Sequence, residues 1–155
     1  MKQNQNFIVK NLHDLESVAD WLVLQLKPGD RIGLAGPLGA GKTTLTQLLA
    51  TRLGVTDAVD SPTFTLRQSY RTLDINIPEV IHYDFYRLET PRALAEIGLE
   101  DDWQRTDSLL IIEWADRFPH LVDHYSYFVT IDFNQETDTR EITIIAKEPH
   151  ASTDY

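Results

Sequence analysis

Arg31-Ile32-Gly33-Leu34-Ala35-Gly36-Pro37-Leu38-Gly39-Ala40-Gly41-Lys42-Thr43-Thr44 is the stretch that decides how this chain is read. Its first five residues form a short apolar run of strand length, Gly36 to Gly41 break regularity, and Thr43 to Leu53 carry helical spacing closed by Gly54. Strand, glycine loop and helix, in that order, are the setting in which Gly-x-x-x-x-Gly-Lys-Thr acts as a phosphate loop. Glycines let successive backbone N–H groups turn inward on one anion, and the helix start adds the positive end of its dipole. Lys42 then reaches the β- and γ-phosphates, and the Thr43 hydroxyl, in the first helical turn, is placed to ligate Mg2+. The expected ligands are a nucleoside phosphate and Mg2+.

Such a loop needs a carboxylate across the metal, usually at the end of a neighbouring buried strand. Ser108 to Glu113 supplies one: an apolar run covered on both faces, ending in Glu113. Trp114 follows and either lines the site or packs in the core. Between the two motifs lies Ser61-Pro62-Thr63-Phe64-Thr65, hydroxyl-rich and in the chain position of a nucleotide-sensing switch loop; Thr63 to Leu66 also reads as a strand. Asp84, an acid among aromatics in His82-Tyr83-Asp84-Phe85-Tyr86-Arg87, has two readings. It orients the attacking water or a metal-bound water, or it pairs with Arg87 or Arg92. His82 reads as a satisfied structural histidine.

Working outward, Asn11 caps a helix over Leu12 to Leu26, and Val80 to Phe85 form a strand that pairs with Thr63 to Leu66 around a turn at Asp74 to Pro78. Thr90-Pro91 starts a short helix ending at Gly98. Tyr125 to Phe133 and Arg140 to Ala146 are β-rich runs around Asn134 to Asp138, and Lys147 to Tyr155 reads as a frayed tail. The expected architecture is α/β: a single phosphate-loop NTPase-like domain over residues 1–155. In it a central mixed sheet is flanked by helices and carries antiparallel C-terminal strands.

The 155 residues are 42% hydrophobic and 25% charged, enough for a core and against disorder. There are no cysteines, no run of membrane-helix length and no apolar signal segment, which points to a cytoplasmic protein without membrane contact. Net charge is −10, and it is unevenly placed. Residues 1–95 hold ten basic and ten acidic side chains, residues 96–155 four and fourteen. Direct binding to a phosphate backbone is disfavoured, and the acidic half serves either solubility or docking of a basic partner through acids such as Asp101, Asp102 and Asp138.

With these motifs in place, the chain resembles the TsaE family, formerly YjeE, the small ATPases of threonylcarbamoyl-adenosine tRNA modification. The resemblance runs from about Asn11 to Trp114 through GPLGAGKTT, SPTFTL, HYDFYRL, a short helix ending in glycine, and IIEW. It implies that Leu38, Gly39, Ala40, Gly41, Lys42 and Thr43 bind the nucleotide phosphates and that Thr43 and Glu113 hold Mg2+. It further implies that Ser61 to Thr65 are switch-like and that Asp84 and Trp114 matter for turnover. It also implies partners: the TsaB–TsaD pair, with tRNA met only through that complex and ADP as the product state. Pro37 and Ala115 stand where the family usually has Asp and Pro. Two rival readings are a small-molecule kinase, for which Arg67, Arg71, Arg87 and Arg92 would form the acceptor clamp, and a non-catalytic nucleotide-binding module. A GTPase lacks its Asn-Lys-x-Asp segment here.

Overall fold

Asn11 starts the first helix as its side chain dictates: Oδ1 accepts the Asp14 N–H at 2.9 Å, and α1 (Leu12–Gln25) follows. In the computed structural model, residues 3–148 are described. Before α1 lies β1 (Gln5–Val9); after it come β2 (Arg31–Ala35), α2 (Lys42–Arg52), β3 (Arg67–Arg71) and β4 (Glu79–Asp84). Then follow α3 (Pro91–Glu96), α4 (Leu99–Trp103), β5 (Leu109–Glu113), 3₁₀ turns at Ala115–Arg117 and Pro119–His124, β6 (Tyr127–Asn134) and β7 (Thr139–Ala146).

The strands form one mixed sheet in the order β1-β7-β6-β2-β5-β4-β3. The central four, β6-β2-β5-β4, are parallel, and antiparallel pairs close both sides. Period-two alternation divides the core. Ile32, Leu34, Leu109 and Ile111 join a cluster with Val18, Leu22, Leu45 and Leu49 of α1 and α2. Ile81, Tyr83, Leu110 and Ile112 join another with Leu94, Leu99 and Trp103 of α3 and α4 and with Phe118 and Leu121. Helices on both faces are what a parallel centre requires. The carboxyl ends of β2, β5 and β4 therefore open together on one edge, where α/β sheets place ligands.

Four expectations change. Thr63 to Leu66 is not a strand: Leu66 turns to φ +67° and its N–H donates to the Pro62 carbonyl at 2.7 Å, and β3 begins only at Arg67. That edge strand buries only Tyr70, so Arg-Gln-Ser-Tyr-Arg can be polar and its pairing with β4 is hard to see in the sequence. β1 was not expected from its Asn- and Gln-rich start, but Val9 is buried and Phe7 packs edge-on to Trp21 at 5.9 Å. Asp102 is no docking acid. Arg67 Nε and Nη2 donate to its two oxygens at 2.7 and 3.2 Å, and the Tyr83 hydroxyl donates at 2.5 Å. Desolvation pushes the Asp102 carboxyl up, and those donors outweigh it, leaving it below the usual range. Of the tail expected over 147–155, residues 149–155 lie outside the described residues; Lys147 N–H donates to the Ser126 carbonyl at 2.9 Å.

Candidate active site

The loop after β2 can take its shape only with small residues. A Cβ on Gly36 would stand 2.6 Å from the Ile131 carbonyl oxygen, and Gly41, just before α2, has φ +117°. Lys42 opens α2 at 5% exposure. Its Nζ donates to the carbonyls of Gly36 at 2.7 Å and Pro37 at 2.9 Å, and lies 4.1 Å from the centre of the Trp114 ring. Burial pushes this ammonium down from the usual lysine range, while Glu113, Asp116 and Asp84 pull it back up.

One helical position on, Thr43 Oγ1 donates to Glu113 Oε1 at 2.7 Å. Glu113 ends β5 at 2% exposure, and His82 Nε2 lies 2.6 Å from its other oxygen. In the parallel ladder Glu113 stands opposite Asp84, the last residue of β4. Asp84 Oδ2 accepts from Ser61 Oγ at 2.6 Å and Thr63 Oγ1 at 2.9 Å, and Oδ1 accepts the Tyr86 N–H at 2.9 Å. Two acids from neighbouring strands thus share one edge with Lys42.

These groups line a cleft of about 340 Å3, with Leu38, Gly39, Gly41, Thr44, Tyr86 and Trp114 completing its walls. Trp114 is held at φ +58°, uncommon for a bulky residue, with its ring 4.9 Å from that of Tyr86. A second groove of about 330 Å3 shares Leu38 and Gly39 with the cleft and runs to Phe133, Gln135 and Arg140 at the β6–β7 turn. There the Arg140 guanidinium lies 5.3 Å from the Phe133 ring centre.

The residues singled out in the sequence mostly converge. Leu38, Gly39, Gly41, Lys42, Thr43, Ser61, Thr63, Asp84, Glu113 and Trp114 line the cleft. Ala40 is buried under the loop, Pro62 is buried, and Thr65 lines an adjoining depression; Phe64 points outward at 85% exposure under the Arg87 guanidinium. Asp84 makes its contacts with the switch-like hydroxyls rather than with Arg87 or Arg92, and Arg92 pairs with Glu96. None of Arg67, Arg71, Arg87 and Arg92, the arginines of the kinase reading, lines the cleft. His82, read as a structural side chain, is in the site through Glu113; the alternation that puts it on Glu113's side of β4 was available in the sequence. Tyr86 lies within HYDFYRL but was not singled out, and the Arg140 groove carries no motif.

The donor set at the Thr43–Glu113 corner is one hydroxyl and one carboxylate oxygen, both hard ligands. That fits Mg2+, which takes few protein oxygens and completes its shell with phosphate and water. Among the described residues no three His, Cys, Asp or Glu side chains converge on a metal position of their own, and no helix is long and apolar enough to cross a membrane.

A phosphate-loop sequence joining a central parallel strand to a helix, with a buried acid ending the next strand, places the chain among α/β proteins organised around such a loop. Residues 9–142 match the family model described as threonylcarbamoyl adenosine biosynthesis protein TsaE, and the chain belongs to the TsaE family. The tRNA threonylcarbamoyladenosine biosynthesis protein TsaE of Rickettsia felis is 36% identical over 116 residues, which are 74% of this chain and 65% of that protein. The Haemophilus influenzae protein of the same name is 36% identical over 81% of this chain and 76% of its own length. The crystal structure of Bacillus subtilis YdiB superposes with a TM-score of 0.71 at 28% identity, covering 94% of this chain and 87% of that one.

Proposed function

We propose that this chain binds and hydrolyses Mg2+–ATP in the cleft, slowly alone, and acts with the TsaB–TsaD pair in threonylcarbamoylation of the adenosine beside the tRNA anticodon. The observation that carries the nucleotide reading is the corner in which Thr43 Oγ1 meets Glu113 Oε1 beside the buried Lys42. Family membership supports the pathway.

Mg2+, held there by Thr43 and Glu113, would supply charge neutralisation at the phosphate oxygens. Lys42, now on two loop carbonyls, exchanges them for β- and γ-phosphate oxygens, a trade of neutral acceptors for charged ones. Thr43 and Glu113 hold the metal. Asp84 orients the attacking water: Oδ2 is occupied by two hydroxyls, and Oδ1 has one acceptor position left beside the Tyr86 N–H. Ser61 and Thr63 fix that carboxylate, so movement of the 61–65 segment changes the water's position. The base extends into the groove at Phe133 and Arg140, where a guanidinium and an aromatic ring offer stacking surfaces.

Phosphate release measured with and without the TsaB–TsaD pair tests this reading, together with a screen of small-molecule acceptors. Slow release that accelerates with the pair supports it. Transfer of the phosphoryl group to a small acceptor, or no nucleotide binding, overturns it.

A further inference from the structure

Glu113 is fixed by two side chains, and only Thr43 belongs to the phosphate-loop motif. In the β4–β5 ladder His82 stands opposite Ile111 and Asp84 opposite Glu113, so His82 and Glu113 are diagonal neighbours on one face of the sheet. His82 is fully buried and 2.6 Å from Glu113 Oε2. With Glu113 read as a metal-binding carboxylate, which has no hydrogen to give, His82 donates through Nε2–H. Its other ring nitrogen, Nδ1, has no hydrogen-bond partner among the described residues. A histidine serving only the core would be better replaced by an aliphatic side chain, which leaves no polar atom orphaned. What the imidazole adds at this position is one N–H directed at Glu113.

We propose that His82 is a positioning residue for Glu113, holding Oε2 so that Oε1 is presented to Thr43 and the metal corner. His82 does not line the cleft. The terminal torsion of a glutamate is soft and roughly two-fold, so a single hydroxyl contact fixes it poorly, whereas one donor on each oxygen defines both its angle and its depth. Hydrogen-bonding partners behind a metal ligand are worth about 10- to 100-fold in metal affinity. The inference rests on the reading of Thr43 and Glu113 as the metal ligands.

The test uses the full chain with a non-hydrolysable ATP analogue, reading Mn2+ binding by electron paramagnetic resonance and analogue affinity in EDTA. Two variants are compared: His82→Leu, which fills the space without a donor, and His82→Gln, whose amide N–H reaches about as far as Nε2. His82→Leu is expected to weaken Mn2+ binding by about 10- to 100-fold while analogue affinity in EDTA stays within about twofold, and His82→Gln to recover most of the loss. Parental Mn2+ affinity in His82→Leu overturns the proposal, as does equal weakening in two folded variants. Should His82→Leu not fold, His82→Met takes its place, and failure of both to fold overturns the proposal by making the ring a core requirement. A parent chain that binds no Mn2+ with the analogue, or a Glu113→Gln variant that binds it as the parent does, overturns the metal reading itself.

Discussion

The two acids of the cleft face each other across one rung of the β4–β5 ladder, are equally buried at 2% exposure, and are held in different ways. Glu113 is gripped by Thr43 of α2 and His82 of β4, so each of its partners belongs to a regular element anchored in the core between α2 and the sheet. Asp84 is gripped by Ser61 and Thr63 from an irregular segment whose next residue, Phe64, is 85% exposed. The Thr43–Glu113 corner proposed to hold the metal is thus formed by regular elements of the fold. The geometry of Asp84, proposed to orient the attacking water, depends on hydroxyls from a segment outside helix and strand.

The largest expected effect breaks the fixed wall. Lys42→Ala loses charge-assisted contacts to phosphate worth roughly 1.5–3 kcal/mol each, about ten- to a hundredfold in ATP affinity, and the domain still melts cooperatively. Calorimetric titration checks this, and unchanged affinity in a folded variant removes the phosphate-loop assignment.

Replacing Ser61 with Ala and Thr63 with Val together sharpens the contrast from the other wall. ATP affinity should stay within about twofold while turnover falls by about ten- to a hundredfold, because only the acid's orientation is lost. Single-turnover phosphate release separates the two quantities. If affinity and turnover fall in proportion, the segment is part of the binding wall and the contrast disappears.

The remaining effects concern stability, not function, and lie in the second core cluster. Tyr125 is fully buried and its hydroxyl has no partner among the described residues, whereas the Tyr83 hydroxyl donates to Asp102 at 2.5 Å. Tyr125→Phe should be neutral or stabilising by up to about 1 kcal/mol, roughly 2–4 °C in melting temperature, and Tyr83→Phe should cost about 1.5–3 kcal/mol. Both phenols are pushed up, first by burial, and Tyr127 is pushed up to about 12 by the same cause. A raised folded-state value favours the protonated phenol, so the stability it confers is present below about pH 10 and lost as pH climbs through about 12. Thermal melts between pH 8 and 12 should therefore fall only above about pH 10.

How much of this was legible in the sequence follows the same division. β2, the glycine loop, α2 and β5 could be read because a buried parallel strand is a continuous apolar run and a phosphate cradle needs its glycines. The strand expected over Thr63 to Leu66 was a misreading, because Thr-Phe-Thr-Leu has strand composition but belongs to the irregular 61–66 segment. Its hydroxyls are drawn to Asp84, 21 to 23 residues away in the chain, and its end is turned by Leu66 at positive φ. No local pattern encodes a partner at that separation. The His82–Glu113 contact was not legible for a related reason: the alternation on β4 was visible, but that β4 lies beside β5 with this register depends on a crossover through α3 and α4. The charge excess was an uneven guide to the surface: Asp101 and Asp138 are exposed, whereas Asp102 is taken up by Arg67 and Tyr83.

The preformed metal corner is tested most directly by ATP titrations in Mg2+ and in EDTA for the parent chain and for Glu113→Gln, which keeps the side chain's shape and removes its charge. The parent should bind ATP about 10-fold or more tightly with Mg2+ than without, and Glu113→Gln should lose most of that difference while keeping the EDTA affinity. The same Mg2+ dependence in both proteins would mean that Glu113 does not hold the metal and that the corner between α2 and β5 is structural only.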